Sequence, residues 1–145
     1  MKNLDFINES HFTVDETHFQ EVLDILIHHN FLEENQTLCL KLIDEGEIKD
    51  YNKRYRGKDK ATDVLTFPSE FKESGFLGDI LIDVWVANRQ KETRSLIEEL
   101  HILFIHGILH LLGYDHLRTN DKNRMEQMET NIKDLLTKEK SISWK

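Results

Sequence analysis

The spacing of apolar residues predicts strands mainly in the first half of the chain. Residues 3–8 (NLDFIN) fit a short first strand, and over Thr37–Ile43 every second residue is a leucine, which is the pattern of a strand with one buried face. A β-rich stretch over 64–67 stops at Pro68, the only proline. Residues 78–83, rich in isoleucine and leucine, complete a predicted set of four strands.

A spacing of three to four residues between apolar positions predicts helices in other segments. Phe12 and Thr13 followed by Glu16 fit an apolar lead-in and a capping box, so the first helix is predicted to open there and to run to about residue 30. Further helices are predicted over residues 48–55, 84–92, 96–112 and 120–138. Together the pattern predicts an α+β fold, a single domain over 1–145 with a small mixed sheet of about four strands covered by helices.

The composition fits one globular domain. The chain has 145 residues, of which 39% are hydrophobic and 32% charged, enough for one core and too few for two. The single cysteine, Cys39, excludes an internal disulfide and is expected to be a small buried thiol in a reducing cytoplasm. No apolar run approaches the roughly 18 residues of a membrane span, and the amino end lacks a signal-peptide pattern, so we expect a soluble cytoplasmic protein.

The segment from His106 to His116 carries the strongest chemical signal. His106 and His110 are four residues apart on a predicted helix, so their imidazoles project from one face and can share a metal ion. Gly113 is the residue type that ends a helix with a left-handed conformation, and the reversal there can bring His116 back to the same ion. Three neutral nitrogen ligands would leave a fourth position open for water. By chance this spacing arises about once in 1,000 chains of such composition.

Zinc, one ion per chain, is the first candidate metal, although nickel, copper and iron also accept imidazole ligands. Water on such an ion ionises near neutral pH, so hydrolysis is the natural reaction class. His101 lies about 140° around the helix from His106 and is expected to be structural or solvated. Glu99 shares their face but sits about 10 Å below His106, too far away to be a ligand.

The residue after the first histidine bears on the kind of hydrolase. In metzincin proteases that position holds the glutamate base, whereas here it is Gly107. Glycine cannot move a proton and costs about 1 kcal/mol against alanine inside a helix, so it suggests a close approach of backbone or substrate. A metzincin-like metalloprotease or amidase is therefore the disfavoured alternative. Asp115 and Asp79 are candidate bases. An aspartate near a histidine ligand, however, more often hydrogen-bonds to that ligand or caps a helix.

The net charge of −8 argues against gross attraction to nucleic acid, but the charge is unevenly distributed. Residues 53–60 (KRYRGKDK) hold five basic residues and one acidic residue, so the remainder carries −12. The alternative interpretation is that residues 53–60 form a solvated polar loop with no binding role. Guanidinium groups, however, bind phosphate bidentately and aromatic rings stack on unpaired bases. The predicted RNA-binding residues are Lys53, Arg54, Tyr55, Lys58 and Lys60.

Residues 52–68 (NKRYRGKDKATDVLTFP), 78–80 (GDI) and 106–116 (HGILHLLGYDH) together resemble the bacterial YbeY family of endoribonucleases and rRNA maturation factors. The three blocks occur in the family's order, and the resemblance spans roughly residues 35 to 135. Two departures are mild: Ala61 stands where a proline is common, and Thr66 stands where a serine is common.

The resemblance implies a small α+β fold with a four-stranded sheet and a cytoplasmic, zinc-dependent endoribonuclease that prefers single-stranded RNA. It implies a role in 16S rRNA 3′-end processing and ribosome quality control, with ribosomal proteins or assembly GTPases as candidate partners. By position it implies His106, His110 and His116 as ligands and Arg56 as the catalytic arginine, which would neutralise charge on the phosphorane. A non-catalytic assembly factor with a structural metal is the other alternative, although no fourth His or Cys lies nearby in sequence.

Overall fold

A computed structural model of the protein describes residues 3–44, 64–113 and 119–140. The predicted helix over 48–55, the basic stretch 53–60 and His116 lie outside these ranges. No helix within the ranges is both long and apolar enough to cross a membrane.

Four strands form one mixed sheet, as the alternating pattern predicts. They are β1 (Leu4–Asn8), β2 (Thr37–Ile43), β3 (Val64–Pro68) and β4 (Phe76–Asp83). The order across the sheet is β1-β2-β4-β3, with β1, β2 and β4 parallel and β3 antiparallel to β4. Pro68 ends the edge strand β3, a position at which a residue without an N–H is tolerated.

Helices form most of the second half of the described chain. They are α1 (Thr17–His28), α2 (Val84–Gln90), α3 (Leu96–Leu111) and α4 (Thr119–Lys140), and a short 3-10 turn covers Lys72–Ser74. The predicted α+β architecture, a four-stranded mixed sheet covered by helices, is confirmed.

Helix α1 begins at Thr17, later than predicted. Its first N–H donates to Asp15 Oδ1 at 2.9 Å, and this contact also lowers the pKa of the Asp15 carboxyl. Glu16 precedes the helix without a side-chain cap. The capping box at Thr13 is therefore wrong, because a nearer aspartate satisfies the helix start through a local side-chain bond.

The core lies between one face of the sheet and helices α1, α3 and α4. The leucines of β2 and Ile80 and Ile82 of β4 are fully buried on this face. Phe19 of α1 packs near its centre, with its ring 5.5 Å from that of Phe6 and 5.3 Å from that of Phe104. Removal of this apolar surface from water, at about 25 cal/mol per Å², is the main source of stability.

Helix α3 packs closely on the sheet at Gly107. A Cβ atom at this position would lie 3.0 Å from Ile80 Cδ1 and 3.0 Å from Ile80 Cγ2. Glycine thus lets the helix backbone pack directly on β4. The close approach that the sequence suggests is made by a strand side chain.

Candidate metal centre

The carboxyl-terminal half of α3 carries His106 and His110. The helix is capped at its start by Ser95, whose Oγ accepts from the N–H of Glu98 at 3.1 Å, and it continues unbroken past both histidines. Gly113 then takes a φ of +104°, and its N–H donates to the His110 carbonyl at 3.0 Å. The predicted helix end at glycine is confirmed, and the chain leaves the helix directly after the second histidine.

The two imidazoles face each other across one turn of α3. Their Nε2 atoms are 3.2 Å apart, and their ring centroids are 4.7 Å apart. Two nitrogen ligands of a tetrahedral zinc site, each about 2.0–2.1 Å from the ion, lie about 3.3–3.4 Å from each other. The observed separation is close to that value, and both residues are partly exposed. His106 and His110 therefore fit two of the ligand positions of a zinc site.

The same separation also suits a hydrogen bond between the rings, in which one Nε2–H donates to the other Nε2. In both arrangements the Nε2 lone pair of at least one ring points toward the Nε2 side of the other ring. The two arrangements differ in the tautomer of one ring, because the ring that donates must move its hydrogen from Nε2 to Nδ1 before both Nε2 lone pairs can face one ion. The geometry of the pair thus suits either a hydrogen bond between the rings or a shared metal ion.

A carboxylate from α4 contacts the opposite edge of the His106 ring. Glu129 Oε1 lies 2.8 Å from His106 Nδ1, and the two side chains are 17% and 25% exposed. A carboxylate accepts hydrogen bonds but does not donate them, so Nδ1 carries the hydrogen. The Nε2 lone pair then points toward His110. Carboxylates that hold metal-binding histidines in this way recur in zinc sites.

Sequence reasoning missed Glu129, although the helix pattern contains a signal for it. Met125, Ile132 and Leu136 are fully buried on α4, and Glu129 falls among them at the same spacing of three and four residues. A charged residue within an apolar stripe needs a polar partner, because burial without one is costly. The identity of that partner could not be read from the sequence, since His106 is 23 residues away on another helix.

Within the described ranges, no group of three or more His, Cys, Asp or Glu side chains is placed to hold one ion. The predicted third ligand, His116, lies outside these ranges, as does Arg56. The predicted RNA-binding residues lie outside them too: Lys53, Arg54, Tyr55, Lys58 and Lys60. The structure thus brings two of the three predicted ligands together, and the full set stays a prediction.

His101 lies on the same helix but in a different environment. It is 1% exposed, its Nε2 lies 3.0 Å from the His18 carbonyl oxygen, and its ring meets Phe19 edge-on. Burial lowers the pKa of His101 to about 4, so the ring is neutral at pH 7. Of the two expected roles, the structural one is correct. Glu99 pairs with Arg94 at 3.0 Å and, as expected, lies apart from the histidine pair.

Asp79 does not reach the histidines. It precedes Ile80 in β4, so its side chain lies on the sheet face opposite α3. There it neighbours Cys39 of β2, and burial, followed by the negative charge of Asp79, raises the pKa of the Cys39 thiol to about 11. Asp79 is therefore wrong as a candidate base, and Asp115 lies outside the described residues. The thiol is half-buried, not fully buried as expected.

Comparisons with known proteins agree with the resemblance carried by the motifs. The family described as Endoribonuclease YbeY matches residues 5–137. A curated protein named Endoribonuclease YbeY, from Nautilia profundicola, is 37% identical over 128 residues, which cover 87% of this chain and 87% of that protein. The solution structure of TM1509 from Thermotoga maritima is similar with a TM-score of 0.66 at 25% identity, over 95% of this chain and 92% of that one.

Proposed function

Because the chain belongs to the YbeY family of endoribonucleases, we propose that it is a zinc-dependent ribonuclease that cuts single-stranded RNA. We place it in 16S rRNA 3′-end maturation and ribosome quality control, in the cytoplasm. The observation that carries the metal dependence is the convergence of two Nε2 atoms, from His106 and His110, at 3.2 Å. The family match favours this activity over a protease or amidase.

Three histidines hold the ion in this proposal: His106, His110 and His116. When bound, zinc makes water acidic near neutral pH and polarises a phosphoryl oxygen. The helix sets the spacing of His106 and His110, and at Gly107 its backbone packs on Ile80. Two of the three proposed ligands thus lie side by side before an ion binds, which lowers the cost of binding it.

RNA binding is assigned to the basic stretch 53–60. Its guanidinium and ammonium groups stand against a remainder with a net charge of −12, so phosphate is attracted to one part of the molecule only. Arg56 is proposed to neutralise the charge that develops on the scissile phosphate, because its fork matches two phosphate oxygens. Tyr55 offers a ring on which an unpaired base can stack. Binding is expected to be weak and to fall with added salt.

The proposed partners follow from this substrate. Ribosomal RNA is presented to the enzyme on an assembling ribosome, so ribosomal proteins or assembly GTPases are the protein partners that we propose. A guiding partner also compensates for an acidic body, which by itself repels RNA outside the basic stretch.

A cleavage assay on a labelled single-stranded RNA and on the same RNA in a duplex tests the activity. The single strand is expected to be cut in preference, with the activity lost on chelation and restored by zinc. Arg56→Lys keeps the charge but loses the fork, so its rate should fall by about 10-fold or more, whereas Arg89→Lys on α2 should not change it. Cleavage that survives chelation would contradict the metal dependence, and full activity of Arg56→Lys would contradict the role of Arg56.

A further inference from the structure

Glu129 has a place in the metal centre that the motif does not include. We propose that Glu129 is a positioning residue that fixes His106 in the tautomer with hydrogen on Nδ1, and that it thereby directs the Nε2 lone pair of His106 at the ion. The inference rests on the proposed function, because it assigns a role within the same metal centre. It is carried by the 2.8 Å contact between Glu129 Oε1 and His106 Nδ1.

The tautomer matters because only one of the two neutral forms can use Nε2 as a ligand. A neutral imidazole carries one hydrogen, and the nitrogen without it is the one that binds a metal. In a free imidazole the two forms are close in energy, so part of the population would present an Nε2–H to the ion. A carboxylate at Nδ1 removes that competing form. It also makes the ring a stronger base and therefore a better ligand.

Burial strengthens the contact. The Glu129 side chain is 17% exposed and that of His106 is 25% exposed, so water competes poorly for either group. A hydrogen bond to a charged group in such surroundings is stronger than one between neutral groups. The contact also joins α4 to α3, so the ring is oriented by two helices.

Glu129 is placed to orient the ring and not to touch the ion or its water. Nδ1 and Nε2 are on different edges of the imidazole, and the Nε2 edge faces His110 at 3.2 Å. A carboxylate bonded to Nδ1 therefore lies across the ring from any atom shared by the two Nε2 atoms. This geometry separates Glu129 from the glutamate of metzincin proteases, which occupies the position of Gly107 and acts as the base.

Three variants separate positioning from a merely structural role. Glu129→Ala removes the acceptor, and Glu129→Gln keeps a neutral acceptor in a side chain of the same length. Glu126→Ala changes an exposed glutamate on the same helix and is the matched control. All three are compared with the wild-type chain for folding by circular dichroism, so that loss of the fold is recognised directly.

The first readout is the tautomer in metal-free protein, measured from the ¹⁵N shifts of the His106 ring at a pH where it is neutral. The wild type and Glu126→Ala should show hydrogen on Nδ1, Glu129→Ala should show a mixture or hydrogen on Nε2, and Glu129→Gln should keep the wild-type form. An unchanged tautomer in folded Glu129→Ala would overturn the proposal. A merely structural contact between helices would change the melting temperature of Glu129→Ala without changing the ¹⁵N shifts of the His106 ring.

The second readout is zinc affinity from competition with a chelating dye. Glu129→Ala should bind zinc about 10- to 100-fold more weakly, with a smaller loss in Glu129→Gln and none in Glu126→Ala. Equal affinity in Glu129→Ala and wild type would overturn the proposal even if the tautomer changed. Absence of zinc binding in the wild type would instead contradict the proposed function, and the tautomer of the metal-free protein would still decide whether Glu129 positions His106.

Discussion

Helix α3 holds histidines in two environments that differ in almost every physical respect. His101 is 1% exposed and donates to a backbone carbonyl of α1, and burial brings its pKa to about 4. His106 and His110, one and two turns further along, are partly exposed, and their Nε2 atoms face each other. One helix therefore uses the same residue type to join the core and to form the pair that we propose as metal ligands.

The comparison teaches that the partner of each Nε2 atom distinguishes the two roles better than the residue type does. The His101 Nε2 contacts a carbonyl oxygen of α1, 83 positions away in sequence, which makes it part of the packing between helices. The Nε2 atoms of the pair contact each other, so both lone pairs can face one ion once neither Nε2 carries a hydrogen. The following predictions test this division, beginning with the largest effect.

Loss of one ring from the pair should abolish metal binding. His110→Ala leaves two of the three proposed ligands, and zinc bound after dialysis, measured by plasma mass spectrometry, should fall from about one per chain to nearly none. Unfolding of the metal-free variant should differ little from wild type, because His110 is partly exposed. The control is His29→Ala, at the end of α1. Unchanged stoichiometry in His110→Ala would contradict the three-histidine assignment.

Loss of the buried His101 ring should lower the stability of the fold and leave metal binding unchanged. His101→Ala leaves a cavity beside Phe19 and deprives the His18 carbonyl of a donor, so the free energy of unfolding should fall by about 3 kcal/mol. Zinc stoichiometry should stay at the wild-type value. Urea unfolding measures the first quantity and mass spectrometry the second. A stable variant that has lost its zinc would reverse the roles assigned to the two regions.

The acid side of the stability profile should depend on His101. Its pKa is about 4 in the folded protein and 6.5 ordinarily, so between these pH values the unfolded chain binds a proton that the folded chain does not. Stability therefore falls as the pH drops from 6.5 to about 4, by up to about 3 kcal/mol from this group, and its contribution is constant below. Urea unfolding at several pH values measures it. The side chain introduced by His101→Gln does not titrate between pH 6.5 and 4. If this variant lost as much stability over that range as the wild type, His101 would not be the source of the loss.

A methyl group at Gly107 should have the smallest effect. Gly107→Ala gains about 1 kcal/mol of helix propensity but places Cβ 3.0 Å from the Ile80 side chain, so a net destabilisation of about 1 kcal/mol is expected. The double variant with Ile80→Val, which removes one of the two contacted methyl groups, should recover part of it. Urea unfolding of Gly107→Ala, Ile80→Val and the double variant checks this order. A stabilised Gly107→Ala would show that packing on β4 does not require the glycine.

Much of the fold could be predicted from the chain because local pattern and tertiary structure agree there. The leucines of β2 alternate in sequence and are all buried, and Gly113 ends α3 as its residue type suggests. The start of α1 could not be placed in this way, because Asp15, and not the predicted capping box at Thr13, makes the side-chain bond to its first N–H. Local signals identify elements more reliably than they choose between competing boundaries.

In the candidate site, too, contacts within one element could be predicted and contacts between elements could not. The spacing of His106 and His110 follows from helix geometry alone, so the sequence predicts their contact. Glu129 joins the site from another helix, and the distance between two helices depends on the packing of the whole core. Asp79 was misplaced for a related reason: which face of β4 meets α3 depends on the packing of the core, and Asp79 lies on the face opposite Ile80.

The central claim is that α3 carries a metal site at its carboxyl-terminal half and a structural histidine in its amino-terminal half. Crystals grown with zinc, with diffraction data collected on both sides of the zinc absorption edge, test it most directly. The account predicts one anomalous peak per chain, within bonding distance of the Nε2 atoms of both His106 and His110, and none beside His101. Zinc bound elsewhere, or absent from this pair in a zinc-saturated crystal, would contradict it.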